Sequence, residues 1–434
     1  MHLGSAQIQV LERSFIEKSF EKHQLLLSSW PERARPKSMS QSRNGVIEVA
    51  VVEGIGKIPR GEWNALVSDD DSPFVDWDWL HAMEASKSAI RNTGWAPYHL
   101  VMRDSAKKII AACPLYLKTH SMGEFVFDHG WAEAAQRANI KYYPKLLVGV
   151  PFTPHTGRRF LTAPEVDRPS TIAALGRALI NVCTENKFSS VHVTFCAEDE
   201  VEPLAGLGFL ERLGYQYHWR NAGFQTFDDY LARLKHKRRT AVRHERSALA
   251  EQGLTVKVLA GEEIPDSLFA PMYRIYLSTI EKLYWGRQYL TPEFFELMRT
   301  DFKRSVAFEL AYKDKELVAG SFCLEKAGVL YGRYWGCFED FKFLHFNVCY
   351  YAGIEHCIER GLTRFEPGAG GEYKWLRGFD PALTRSMHFL AHPGFAKAVG
   401  DFLKRESREV RHWIEEGRER SQLKPPPPSD AEVE

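Results

Sequence analysis

From Val46 onward, apolar positions along the chain switch between a period near 2 and a period near 3.6, the pattern of an α/β protein. Val46–Val52 alternates as a strand, and Pro59–Leu66 begins a helix with proline just inside its start. Asp71 opens a capping segment for a helix reaching Ile90. Tyr98–Arg103 and Lys108–Leu117 read as strands around the turn Asp104–Lys107. Phe125–Lys145 gives an aromatic strand end, a short amphipathic helix and a Tyr-Tyr-Pro-Lys loop. Strand Leu146–Phe152, helix Arg168–Asn186, strand Ser190–Phe195, helix Leu204–Leu213 and strand Tyr215–Asn221 complete a first half.

A basic helix follows within Phe227–Glu251, and then the earlier order returns. Leu254–Leu259 is a strand, Asp266–Lys282 and Pro292–Arg299 are helices, and Phe308–Lys313 with Glu316–Glu325 forms a hairpin over Asp314. An aromatic strand, Val329–Cys337, leads to a helix with Val348, Tyr351, Ile354 and Ile358 on one face. A short strand, Thr363–Glu366, then runs into the turn Pro367–Gly371. A strand–helix–strand–glycine turn is how α/β proteins build a ligand crevice, with helix amides free to meet an anion. A charged helix, Phe395–Arg420, and a tail from Lys424 end the chain. Residues 1–45 differ in character: weak helical spacing over Val10–Leu27 precedes a polar linker, Met39 is a candidate start, and the segment is read as outside the fold.

At 434 residues the natural expectation is two domains. With 57 basic and 56 acidic residues, no global charge draws the protein to nucleic acid or membrane. Seven scattered cysteines without a CxxC pair fit reduced thiols in a cytoplasm-like compartment, or a plastid if residues 1–45 are a transit peptide. No run approaches the ~18 apolar residues of a membrane span, and a soluble protein is expected.

The polar residues at the element ends carry the candidate chemistry. Glu366 and Glu372 flank the glycine turn, and either serves as a general base if burial raises its pKa toward neutrality; a solvated charge, or a pair with Lys374 or Arg377, is the competing reading. His345, just before the helix at Phe346, orients a ligand or caps the helix. Arg333, Tyr334 and Trp335 on the aromatic strand, with Lys374, form a substrate-binding set, and Phe346, Asn347 and Val348 offer the helix start to a coenzyme. In the first half, Asp128, Tyr143 and Lys145 are placed to clamp a substrate. Lys237, Arg238, Arg239 and Arg243 on the basic helix are placed to hold phosphates of RNA or a coenzyme, and otherwise form a solvated face. No HxxxH beside acids is present, so no metal is expected.

The segments FVFDHGWAEAAQRANIKYYPKLLVGVPFTPHTGRRFL, KHKRRTAVRHER, RYWGC and FLHFNVCYYAGIEHCIERGLTRFEPGAGGEYKWLRGF, in that order, resemble the FemAB-like N-acyltransferase family. The resemblance implies two tandem GNAT-type domains, residues 46–227 and 253–400, each a mixed splayed sheet flanked by helices and linked by the helix over 228–252, with a charged helix and tail over 401–434. It implies an acyl or aminoacyl transfer to a small-molecule or peptide amine, from acyl-CoA or aminoacyl-tRNA as co-substrate and with no tightly bound cofactor. The basic helix at 233–246 then has a reason to meet tRNA. The donor pyrophosphate would sit at the helix after Val329–Cys337. Asn347 and Gly370 depart from the family's usual residues, which favours as the alternative a non-catalytic module that binds a cell-wall fragment or RNA.

Overall fold

The computed structural model of the protein describes residues 41–42, 45–282 and 288–425. The readings made for residues 1–45 and for the tail fall outside the described residues, apart from 41–42, 45 and 424–425. The first half holds strands β1 (Gln41–Ser42), β2 (Gly45–Val46), β3 (Glu48–Val52), β4 (Trp95–Pro97), β5 (His99–Arg103), β6 (Ile109–Cys113), β7 (Leu115–Lys118), β8 (Lys145–Val148), β9 (Leu161–Thr162), β10 (Ser190–Val193) and β11 (Leu210–Arg220). Its helices are α1 (Arg60–Asn64), α2 (Trp77–Ala85), α3 (His129–Arg137), α4 (Arg168–Glu185) and α5 (Val201–Ala205).

Next come α6 (Phe227–Arg233), α7 (His236–Glu251), β12 (Leu254–Ala260), α8 (Phe269–Lys282), α9 (Pro292–Asp301), β13 (Val306–Lys313), β14 (Glu316–Lys326) and β15 (Val329–Cys337). Helix α10 runs from Leu344–Phe346 through a π turn at Asn347–Ala352 into Gly353–Glu359, before β16 (Arg364–Glu366), β17 (Asp380–Leu390) and α11 (Pro393–Glu419).

The result is a mixed α/β fold with two sheet regions flanked by helices. A four-stranded sheet has the order β3-β5-β6-β9. An eleven-stranded sheet runs β12-β13-β14-β15-β16-β11-β17-β10-β8-β7-β4, crossing from the second half of the chain into the first. The crossing is made by β17, which pairs antiparallel with β11 on one side and β10 on the other. One apolar cluster also bridges the halves, with Trp79 of α2 edge-on to Phe294 of α9 at 5.4 Å.

Several elements differ from their sequence reading. The helix expected over Leu204–Leu213 stops at Ala205, Gly208 turns the chain at φ +89°, and Leu210 already belongs to β11. Helix α2 ends at Ala85, with Lys87 left-handed, rather than at Ile90. The single basic helix is two helices, broken where Leu234 and Lys235 are extended and Leu234 bridges to Leu423. Lys424 is not loose: its N–H donates to Arg233 O at 2.8 Å. Strand β17 has no counterpart in the sequence reading.

At the seam, His192 of β10 stands opposite His388 of β17. Their Nδ1 atoms are 2.7 Å apart, so one ring donates and the other accepts, and the chain extends to Ser190 (2.8 Å) and Ser386 (2.9 Å) at the far nitrogens. Burial pushes His192 down to about 3 and His388 well below the ordinary histidine value, keeping both neutral. The unfolded chain therefore binds more protons below about pH 6.5, and stability is lost as pH falls. Each such histidine costs roughly 1.4 kcal/mol per pH unit in that range. Denaturant titrations are expected to show a falling unfolding free energy from about pH 6.5 downward, with a shallower slope in His388→Gln.

Helix α8 crosses β15 backbone to backbone. A Cβ at Gly336 would lie 1.8 Å from Ile275 O, and Thr279 Oγ1 donates to Trp335 O at 2.5 Å beside it. Gly336→Ala is expected to cost about 3 kcal/mol or more in denaturant unfolding, since only a backbone shift relieves the overlap. Gly130→Ala, on α3 with nothing within 4 Å, is expected to be neutral or stabilising by up to about 1 kcal/mol.

Candidate functional site

Strand β15 is paired with β14 along its whole length, from Ala319↔Cys337 to Lys326↔Val329. Within that pairing, Phe322 faces Tyr334 and Cys323 faces Gly332, so Arg333 is an extra, bulged residue. On its other edge β15 is parallel to β16 for three pairs only, ending at Tyr331↔Glu366. Pro367, without an N–H, follows. Its backbone presses on the neighbouring strand: a Cβ at Gly332 would lie 3.1 Å from Pro367 Cα. Beyond this contact the glycine turn diverges, with Gly368, Gly370 and Gly371 all left-handed, and β15 has no strand partner on this side from Gly332 on, an opening that α8 closes at Trp335 and Gly336.

On one face of the opening, Glu366 is buried. Its Oε2 lies 2.9 Å from His155 Nδ1 and 3.8 Å from His218 Nε2, and its Oε1 pairs with Arg364 Nε at 2.8 Å. Burial by itself would raise its pKa, but His218, the His155 hydrogen bond and Arg364 outweigh it and hold Glu366 at about 2. The expected rise toward neutrality is thus reversed, and Glu366 is an anion with both oxygens engaged. His155, lowered to about 4 chiefly by burial, turns Nε2 to Gly332 O at 3.3 Å. Arg333 donates to Phe152 O and, at 3.1 Å, to Tyr334 OH, with its guanidinium over the rings of Phe74 and Tyr334. Its buried Nε has no partner among the described residues, and burial lowers its pKa.

The other face holds Lys374 and His345. Lys374 is 3 % exposed and donates to Gly368 O (2.6 Å) and Ala369 O (3.2 Å), closing the glycine turn on itself. It pairs with no carboxylate among the described residues, and burial brings it down to about 8. His345 lies inside the helix, not at its cap, which is Phe343. Its ring packs edge-on to Trp335 and Tyr350, both at 5.2 Å, and burial with nearby Lys374 and Arg377 lowers it to about 4.

Phe346 stacks under the Arg377 guanidinium at 3.5 Å, and Arg377 grips Glu245 of α7 at 2.7 and 2.8 Å. Asn347 donates to Glu245 O (2.9 Å) and Phe343 O (3.0 Å), its own N–H is bonded to Phe343 O, and Val348 is fully buried. The helix start near Asn347 and Val348 is therefore tied inward. Glu372 begins a 3-10 turn, and its side chain lies outside the described residues.

The remaining candidates lie apart. Lys145 is fully buried in a closed network with Glu124 Oε2 (2.8 Å), Asp128 Oδ2 (2.5 Å) and Ser121 Oγ (2.9 Å). Tyr142 OH donates to Asp128 at 2.6 Å, and Tyr143 OH meets Ser121 at 2.8 Å. These contacts push Asp128 down and Lys145 up despite burial, as a core ion cluster does. On α7, Lys237 and Arg243 are exposed, whereas Arg238 and Arg239 are half-buried against Gln422 and Ala232 O.

A cleft of about 400 Å³ opens beside the glycine turn, lined by Ala369–Gly371, Phe125–Phe127, Tyr215, Tyr217 and the Arg212–Glu406 pair. Sequence reasoning missed Glu309, a carboxyl on β13 beneath the π turn with neither oxygen hydrogen-bonded, lifted by burial to about 8. A lone acid at an inward position of an apolar strand is the signal that marks it. The chain's Gly353 makes room for it, since a Cβ there would be 2.5 Å from Glu309 Oε1.

Among solved structures, the chain is similar to the C-terminal domain of a protein described as a lysylphosphatidylglycerol synthetase from Agrobacterium fabrum (10 % identity, 78 % of this chain and 94 % of that one, TM-score 0.49). It is similar to FemX (12 % identity, 79 % and 98 %, TM-score 0.48). It is also similar to L-PGS from Bacillus licheniformis (8 % identity, 80 % and 98 %, TM-score 0.46). No curated protein matches the sequence. A family model, FemAB-like, described as peptidoglycan biosynthesis/recognition, matches residues 54–425. The chain therefore belongs to the FemAB-like family.

Proposed function

We propose that the protein is an N-acyltransferase that joins an acyl or aminoacyl group to an amine in the opening between β15 and β16. The observation that carries this reading is the early end of β15–β16 pairing at Tyr331↔Glu366, which leaves the following stretch of β15 without a strand partner on that side, with buried Lys374 linked to it through His345, whose ring packs on Trp335. A donor laid along that edge has its carbonyl oxygen polarised by backbone N–H groups. The acceptor nitrogen attacks the carbonyl carbon, the C–N bond forms, and the C–S bond of a thioester or C–O bond of an aminoacyl ester breaks. The proton lost by nitrogen passes to Lys374 and from there to the leaving sulfur or oxygen.

Lys374 is assigned the base role because it is the opening's group with a pKa near neutrality; Glu309, also near 8, is closed off beneath the π turn. As a neutral amine, Lys374 still donates to Gly368 O and Ala369 O while its lone pair accepts. Glu366 positions the end of β16, and His345 walls the opening. The aromatic cleft beside Ala369–Gly371 admits the acceptor, and the family's description supports a peptidoglycan-related amine in that role. Acyl-CoA and aminoacyl-tRNA are the donors that fit, and exposed Lys237 and Arg243 favour the latter. Among the described residues no helix is long and apolar enough to cross a membrane, which suits a reaction in the cytoplasm, where both donors are made.

Transfer assays with acetyl-CoA and with charged tRNA test the assignment. Lys374→Met is expected to lower kcat by about 100-fold or more, the usual scale for a lost general base. In the parent enzyme the rate should rise with pH to a plateau above about 8, because the neutral amine is the active form; that limb should vanish in Lys374→Met. Glu366→Gln should leave the pH profile in place and lower the melting temperature. A Lys374→Met variant with unchanged rate and pH profile would remove Lys374 from the mechanism, and absence of transfer from both donors would reject the reaction class.

A further inference from the structure

A second concavity, of about 570 Å³, lies where the end of β11, the α6–α7 break, the start of β17 and the end of α11 meet. Its walls carry Arg220, Arg233, Lys235, Arg418 and Lys424 against two acids, Asp380 and Glu419. Among the described residues none of the five cations forms an ion pair with a carboxylate. Arg233 spends its guanidinium on a carbonyl instead, donating to Lys424 O at 2.7 Å. Five cations converge on one cavity against only two acids, and the positive charge left over after Asp380 and Glu419 favours an anion there.

Two further features point into the same space. Lys235 is the N-cap of the sixteen-residue helix α7, which has no side-chain cap and no acid in its first turn. The residues after Lys235 are His236, Lys237, Arg238 and Arg239, which place positive charge on the positive end of the helix dipole. His218 lines the pocket while only 7 % exposed. Its Nε2 is turned to Gln216 (3.5 Å) and Glu366 (3.8 Å).

We propose that this pocket binds a small phosphorylated ligand carrying a pyrophosphate group, such as a nucleoside diphosphate. The volume suits a nucleotide. The phosphates sit among Arg220, Lys235 and Arg418 at the first turn of α7, and His218 meets the ligand from the floor. Through His218 the bound anion stands one side chain from Glu366, the residue that holds the end of β16. The pocket does not share the opening between β15 and β16, and the inference stands apart from the acyl-transfer reading.

Calorimetric titration of the full chain with inorganic pyrophosphate, ADP and adenosine tests it. Pyrophosphate and ADP are expected to saturate at one site, and adenosine to give no heat. Arg220→Met/Lys235→Met, at exposed positions, should weaken both anions about tenfold or more with an unchanged melting curve. Failure of either anion to saturate into the millimolar range would overturn the proposal, as would unchanged affinity in the double variant. Loss of anion binding in Lys374→Met alone would place the anion in the other opening and likewise overturn it. Binding of RNA with pyrophosphate silent would do the same.

Discussion

The contact between Gly332 and Pro367 is the constraint on which the site depends. Parallel strands stay paired unless something stops the ladder, and here two features act at one point: a residue with no N–H, and a bulge that takes Arg333 out of register. Glycine at 332 lets the two backbones approach this closely, since a Cβ there would press on Pro367. Strand β15 nevertheless stays straight enough to keep its pairing with β14, and α8 clamps its far end through Gly336. The opening is therefore rigid on one wall and formed by a glycine turn on the other, with Lys374 tying that turn from inside.

Around this opening, desolvation acts on every ionisable group, and local partners decide the outcome. Glu366 has the Arg364 cation on one oxygen and histidine rings on the other, so burial fails to neutralise it. Glu309 has none and is lifted to about 8. Lys145 sits between two carboxylates and is locked as a cation, whereas Lys374 meets only carbonyl dipoles and falls to about 8. A carbonyl can hold either form of an amine, but a carboxylate holds only the ammonium. That difference separates a structural lysine from one able to exchange a proton at neutral pH.

Much of this is legible in the sequence. Strand Val329–Cys337 can be read to the residue because its aromatic alternation is strong, and Glu366 and Lys374 stand out as charged residues at element ends. Their partners cannot be read. His155 reaches Glu366 across 211 residues, and no local pattern encodes that pairing. The expected clamp at Asp128, Tyr143 and Lys145 is misleading for the same reason, since Glu124 and Ser121 complete the cluster only when the chain is folded. Strand β17 is hidden for a different reason. It carries Pro381, which usually argues against a central strand, and its buried positions include Thr384, Ser386 and His388. A template that looks for apolar residues on the inward face finds polar ones and fails.

Those polar positions in turn explain how the two halves are held in one register. Strand β17 must insert between β11 and β10 with a fixed offset, and apolar side chains alone would tolerate a slip poorly but not uniquely. The hydrogen-bond chain Ser190–His192–His388–Ser386 has only one register in which every ring nitrogen is satisfied. A shift of one residue would leave two buried imidazoles unpaired, each at a cost of about 1–3 kcal/mol. A shift of two would place His192 against Ser386 or Leu390 and break the chain equally. The seam thus trades hydrophobic stabilisation for a single alignment, and that alignment fixes where β11, and with it Gln216 and His218, stands relative to β16.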